Sequence, residues 1–431
     1  MLITRKAEFS ASHVCARPDW SEEQNRLVYG AAANPHGHGH NYSLEVTLEG
    51  EPDPATGMIF DLKALKEIIH RLCTWTEQGG DYGWRFRSLP IKSCERRESP
   101  MTGFPRLKES YDIVVVGGGH AGLQAALKTA LLGHTGALLD RGPKFSRSYY
   151  APVMDNIPGF PGGISGHALL DHQVAAVRKV DDWVSYFSPA TVRTVERTES
   201  GFAVAFDWLK QDLTARGRAV VLAMGVVDRI PDVGGDIKPI FPWANQALVD
   251  FCILCDGHTL SGRSVAVLGH DAFAARTALD LLHFHPASVE LLTLGHPLLE
   301  GVRPDEAEGL RTALKEKGIT HFDPAMTGFD EIREKRFGVQ FADGSHRSYE
   351  KGFSALGWWD MHQEIPRSLG CRFDPDGYVV TDEDSRAISD STGQPIPGLY
   401  CAGDQRNGWN QIPEAWATAE RAVIHAYAEY L

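Results

Sequence analysis

The pattern of apolar and polar positions changes texture twice along the chain. Residues 1–72 alternate as strands do, in LITRKAEFSASH and again in HNYSLEVTLEG. After a turn at EPDPATG, the apolar residues Leu62, Leu65, Ile68 and Ile69 recur at helical spacing, which predicts a β–β–α order. Residues 73–109 hold no period and are rich in turn formers and charges, so a linker is expected there. From Tyr111 the alternation gives way to continuous apolar runs: YDIVVV, GALLD, AVVLAMG, SVAVL and GLYCAGD. Unbroken runs of this kind are strands covered on both faces, as in parallel sheets. The runs starting at Tyr111 and Ser264 pass straight into a glycine turn and an Ala/Leu-rich helix, which predicts two nucleotide-type α/β units. A last helix, PEAWATAERAVIHAYAEY, carries Pro413 where a first helical turn tolerates it.

Composition narrows the function. With 431 residues the chain can build two or three cores, and 43% hydrophobic with 23% charged residues is ordinary globular usage. A formal net charge of −13 argues against nucleic-acid or anionic-membrane binding. The N-terminus MLITRKAEFSASH has no apolar core of a secretion signal. The most apolar stretch is interrupted by glycines, His120 and Lys128, which a membrane span would avoid. Seven cysteines, sparse and odd in number, suit a reducing compartment, and the cytoplasm is the expected location.

Two motifs carry chemistry. Gly117-Gly118-Gly119-His120-Ala121-Gly122 fits G-x-G-x-x-G between a strand and a helix. There Gly117 makes the turn, Gly119 admits a pyrophosphate to the backbone, and Gly122 lets helix pack on strand. Asp140 closes the next strand, where an acid binds a ribose hydroxyl. The second motif is Cys252-Ile253-Leu254-Cys255-Asp256. Zinc would want a second cysteine pair, and haem attachment would want histidine directly after Cys255. A redox dithiol fits best, with two buried structural cysteines as the plainer alternative.

VVVGGGHAGLQAA, NIPGFPGGISG, VLAMGVVDRIPDV, FCILCDG and GLYCAGD…QIPEAWATAERA occur in the order found in low-molecular-weight thioredoxin reductases, and residues 110–431 resemble that family. The resemblance implies FAD, with Gly117, Gly119, Gly122 and Asp140 around its ADP half. It places Gly403 and Asp404 at the ribityl chain, and the backbone of Gln411 and Ile412 beside the flavin pyrimidine. It implies that Cys255 faces the flavin, Cys252 attacks the substrate disulfide, and Asp256 moves the proton. Trp409 and Trp416 flank this helix start, and packing is their expected role. The implied partner is a thioredoxin-like protein or a small dithiol or disulfide.

The second nucleotide loop departs from that family. It reads Gly269-His270-Asp271-Ala272-Phe273-Ala274, so Asp271 stands where a second glycine should approach pyrophosphate. Unit charges about 4 Å apart repel by about 4 kcal/mol at an effective dielectric near 20. The following strand ends in Gly295-His296-Pro297 rather than in a basic cluster for a 2′-phosphate. Weak or absent NADPH use is therefore expected, leaving a dithiol oxidase or a reductase with another electron donor.

AEFSASH and NPHGHGHNYSLEVTLEG…DPATGMIFDLKALK resemble the first half of the 6-pyruvoyl- and 6-carboxy-tetrahydropterin synthases. That resemblance implies zinc ligands at His13, His38 and His40. Ala32 occupies the position of the family's catalytic cysteine, and nothing after Leu72 resembles its second half, so an inactive module is expected. Relatives of both halves imply a homo-oligomer. The expected fold class is α/β: two Rossmann-like FAD/NAD(P)-binding domains behind a small α+β half T-fold module. Its boundaries fall at 1–72, a linker at 73–109, an FAD domain at 110–228 and 348–431, and a degenerate NAD(P)-like domain at 229–347 carrying the dithiol.

Overall fold

A computed structural model describes residues 2–13, 21–29, 38–49 and 105–430. The chain divides into two units, Met1–Gly103 and Phe104–Leu431. In the first unit, strands Leu2–His13 and His38–Glu49 form an antiparallel ribbon. Its register pairs His13 with His38 and Ala11 with His40, so the three histidine positions fall at one end of the ribbon. The alternation of the sequence identifies both strands. It does not reveal the short helix Glu22–Tyr29, whose signal is a reciprocal cap. Ser21 Oγ accepts from the Gln24 N–H at 3.2 Å while Gln24 Oε1 accepts from the Ser21 N–H at 2.9 Å. The helix expected around Leu62–Ile69 lies outside the described residues, as does Ala32.

In the second unit the apolar runs become the middle of a sheet. Strands Pro395–Cys401, Gln211–Leu222, Tyr111–Val116, Gly136–Leu139 and Val184–Phe187 lie side by side and parallel, with Arg386–Ile388 antiparallel on one edge. Successive residues of the central strand serve opposite cores. Ile113 and Val115 face the helices His120–Leu131 and Ile412–Tyr430, packing with Leu123, Ala126, Ala419 and Ala422. Val114 and Val116 face Leu222, Phe187, Phe206 and Trp208. This explains the absence of alternation. The strand Gln211–Leu222 is long enough to serve twice: its first half pairs antiparallel with Gly201–Trp208, its second half parallel with Tyr111–Val116.

The second nucleotide-type domain repeats the plan. Strands Val249–Asp250, Lys351–Ser354, Ser264–Leu268, Ser288–Leu292 and Thr320–Phe322 form a parallel sheet in that order. A three-stranded antiparallel sheet, Met326–Asp330, Phe337–Phe341 and His346–Tyr349, stands beside it. The boundary expected at 347/348 is corrected by this topology. Lys351–Ser354 sits between Val249–Asp250 and Ser264–Leu268, and the chain passes back only at Trp358–Asp360, which pairs antiparallel with the outgoing Val227–Asp228. The end of the expected linker is also corrected. Arg106 and Lys108 dock on the first domain, where the Arg106 carbonyl accepts from Ser185 Oγ at 2.9 Å and Lys108 Nζ reaches the Asp182 carbonyl at 3.0 Å. Among the described residues no helix is long and apolar enough to cross a membrane.

One buried ion pair fixes the approach to the dithiol. Lys351 Nζ lies 2.7 Å from Asp250 Oδ2 and donates to the Ala247 carbonyl at 2.6 Å, with both side chains at 5% exposure or less. Removing one partner of such a pair strands a buried charge, at about 3–5 kcal/mol. Lys351→Met is expected to lower stability by that amount in urea unfolding. Adding Asp250→Leu is expected to recover most of the loss.

Candidate functional site

The site begins where the central strand ends. Gly117 has φ +105°, and a Cβ there would lie 2.3 Å from the Ala223 carbonyl oxygen. A Cβ on Gly122 would fall 1.7 Å from the Gly117 oxygen, so this glycine lets the helix rest on the strand end. Gly119 is different: its nearest neighbour would be Ser146 Oγ at 3.7 Å, and it opens onto the cleft. The intervening Gly118 is as confined as Gly117 and Gly122, since its Cβ would sit 2.1 Å from Asp140 Cγ. Motif reading passes over it because it occupies a free position of the pattern. Asp140 is buried and accepts from the Gly142 N–H at 2.9 Å and from the Tyr186 hydroxyl at 2.8 Å. Burial raises its pKa against those bonds. The acid expected to bind a ribose thus also pins the turn that forms the cradle.

His120 opens the helix and is buried. Its Nδ1 lies 2.5 Å from Gln173 Oε1 and its Nε2 2.7 Å from Ser148 Oγ, and burial holds its pKa down to about 4. The ring is therefore neutral at neutral pH, leaving the positive end of the helix to an anion. The edge of Trp416 meets it at 6.4 Å, while Trp409 is exposed.

Beside the glycine turn stand Gly403 and Asp404, a Cβ on Gly403 falling 2.9 Å from Ala121 Cβ, and the structure adds a cation that no local motif announces. Arg147 Nε is 2.7 Å from Asp228 and its Nη1 3.5 Å from Asp404, beneath the Trp358 ring at 4.7 Å. Burial opposes the charge of Arg147, and the two carboxylates outweigh it and raise its pKa. These groups are 81 and 257 positions apart in sequence, so only the fold unites them. Helix Ile412–Tyr430 starts at the same cleft, with the Gln411 carbonyl accepting from the Ala415 N–H. Asn410 lines the cleft with its Oδ1 buried and unpartnered by protein.

Cys252 and Cys255 form a disulfide across the short helix Ile253–Asp256 and line the same cleft, whose volume is about 610 Å³. The Gln411 side chain spans both sulfurs: its Nε2 is 3.5 Å from Cys252 Sγ and 3.4 Å from Cys255 Sγ. Asn156 Nδ2 in turn donates to Gln411 Oε1 at 3.3 Å. A second link crosses from the dithiol domain, with His258 Nε2 3.0 Å from Asp155 Oδ2. Burial, helped by the charge of Asp250, pushes the Asp256 carboxyl up to about 7. Gly117, Gly119, Asp140, Gly403, Asp404, Gln411, Ile412, Cys252, Cys255 and Asp256 all line this cleft, while Gly122 lies behind its turn. The confined glycines, two helix starts, the Arg147–Asp404 pair and the unpartnered Asn410 oxygen suit an elongated dinucleotide such as FAD, ending at the disulfide.

The second nucleotide loop carries its own anion. Asp271 precedes helix Ala272–Asp280, and its Oδ1 accepts from the Ala274 N–H at 3.0 Å. The carboxylate therefore occupies a helix start that a phosphate would use. His270 and His296 stack at 4.2 Å with 19° between ring planes.

The profile of pyridine nucleotide-disulphide oxidoreductases matches residues 111–421, and that of 6-pyruvoyl tetrahydropterin synthases matches residues 2–77. The bifunctional thioredoxin reductase/thioredoxin of Mycobacterium leprae is 27% identical over 310 residues, 68% of this chain and 60% of that protein. The 6-pyruvoyl tetrahydrobiopterin synthase of Poecilia reticulata is 49% identical over 70 residues, 16% of this chain and 48% of that protein. The chain thus spans about half the length of the curated pterin synthases it matches. Among solved structures, thioredoxin reductase from Streptococcus pyogenes shares the fold with a TM-score of 0.60 at 20% identity, covering 74% of this chain and 97% of that one.

Because Gly118 faces Asp140, Gly118→Ala is expected to deform the cradle and weaken flavin binding at least tenfold. A loss of about 1.4 kcal/mol suffices for that factor. The ratio of visible to ultraviolet absorbance after gel filtration measures it.

Proposed function

This chain belongs to the pyridine nucleotide-disulphide oxidoreductase family, with a pterin synthase-like module at its front, and we propose from this that it is an FAD-dependent thiol–disulfide oxidoreductase. The observation that carries the reading is the Cys252–Cys255 disulfide at one end of a cleft whose other walls suit the dinucleotide. Bound FAD would supply electron-pair exchange with thiols. Gly117, Gly119, Gly122 and Asp140 would hold its ADP half, and Gly403, Asp404, Gln411 and Ile412 its other half.

The chain's own residues account for the sulfur chemistry. A thiolate of the substrate dithiol attacks Cys252 Sγ, the Cys252–Cys255 bond breaks, and Cys255 leaves as a thiolate. The Gln411 N–H group within reach of both sulfurs stabilises that charge. The second substrate thiolate then displaces Cys252, so the substrate is oxidised and the cysteine pair reduced. The same steps in reverse reduce a substrate disulfide. Asp256, titrating near neutrality, supplies or takes the proton. The substrate class is a thioredoxin-like protein or a small dithiol or disulfide.

The Asp271 carboxylate at the second helix start supports weak or absent NADPH binding and hence another donor or acceptor. For the front module, the register of His13, His38 and His40 supports zinc binding, while Ala32 in place of the nucleophilic cysteine supports an inactive remnant. The cytoplasm remains the proposed location.

Anaerobic titration of the flavin band tests this reading: dithiothreitol is expected to bleach it, and NADPH at the same concentration is not. Rapid bleaching by NADPH would overturn the account of Asp271, and no bleaching by dithiols would overturn the relay. Proton donation by Asp256 is expected to fail as pH rises through about 7. The rate of substrate disulfide reduction should fall there, and Asp256→Asn should lower it below that pH and flatten the profile.

A further inference from the structure

We propose that the second nucleotide-type domain carries a zinc-class metal site formed by His270, His296 and Glu300. The ligand atoms of these three side chains all lie within 4.8 Å of one another. His296 Nδ1 and Glu300 Oε2 are 3.3 Å apart, close to the edge of about 3.4 Å that two ligands span on a tetrahedral zinc. The imidazoles of His270 and His296 stack face to face at 4.2 Å with 19° between planes, so a turn of one ring about its χ2 brings both nitrogens onto one ion. His270 Nδ1 is buried with no hydrogen-bond partner, an unusual condition for a ring nitrogen unless a further group completes it.

The three residues come from two loops at the same end of the sheet. His270 follows strand Ser264–Leu268 and His296 follows its parallel neighbour Ser288–Leu292. The Leu299 N–H donates to the His270 carbonyl at 2.5 Å, and Leu299 is buried, so the turn bearing Glu300 is tied over His270. The site thus stands at the crevice beyond the carboxyl ends of parallel strands, where open α/β sheets bind ligands.

Its chemistry selects a cation. Glu300 and the neighbouring Asp271 disfavour phosphate, and two imidazoles with one carboxylate suit a borderline divalent metal rather than magnesium or calcium, which take oxygen ligands. Three protein ligands leave a fourth position open. The position that a nucleotide loop would occupy is thereby converted to a metal clamp between two loops. This inference is independent of the sulfur chemistry proposed above.

Isothermal titration of the full chain with Zn²⁺ tests it, using His38→Ala and His40→Ala together to remove two of the three proposed zinc ligands of the front module. One equivalent is expected to bind with micromolar or tighter affinity, and His296→Ala and Glu300→Gln are each expected to weaken it at least tenfold. Both side chains are exposed, so the metal-free melting temperature and flavin spectrum should not change. As a second measurement, the otherwise unaltered chain should bind one Zn²⁺ more than its His296→Ala variant. No zinc uptake in the first background, or uptake indifferent to His296 and Glu300, would overturn the proposal.

Discussion

Backbone crowding at the end of the strand Tyr111–Val116 is the constraint from which the rest of the cleft follows. Gly117 passes against the Ala223 carbonyl, Gly122 against the Gly117 carbonyl, and Gly118 against the Asp140 side chain. Each approach forbids a side chain, and together they bring the start of helix His120–Leu131 to the floor of the cleft. A methyl group at any of them would meet backbone or a buried carboxylate, in an interior packed too densely to yield cheaply. The neutral His120 and the pinned Asp140 then keep that helix start free of a competing salt bridge.

The two domains meet through polar side chains at the dithiol. Gln411 belongs to the start of the last helix of the first domain and reaches the sulfurs of the second. Asp155 and His258 make a second link nearby. Behind the sulfurs, the Asp250–Lys351 pair anchors the short strand from which they project. The disulfide is thereby set between a rigid support and a hydrogen-bond donor that responds to its charge state.

What the sequence disclosed depended on whether a feature was local. The parallel sheets were legible because residues such as Val114 and Val115 face different cores and so erase alternation. The glycine motif, the dithiol and the front ribbon were legible for the same reason, each being a short contiguous pattern. The helix after Ser21 was written in a capping box that periodicity alone passes over. Arg147 was not legible, since its partners lie far away in the chain and nothing beside it signals a buried cation. The domain return was misplaced because Lys351–Ser354 is a short strand holding a lysine, which reads as surface until Asp250 is found opposite it.

The remaining described cysteines set the electron-holding capacity of the oxidoreductase unit. Cys371 and Cys401 are both buried, and burial pushes the Cys371 thiol up to about 12 and raises Cys401 as well. Neither offers a thiolate at neutral pH, and thiolates are what exchange with disulfides. Within residues 105–430 the proposed thiol–disulfide chemistry is therefore confined to one cysteine pair, and any further pair of electrons would reside on bound flavin. With both stores in use the unit would hold the electrons of two dithiol substrates, and its described cysteines offer no third place for more.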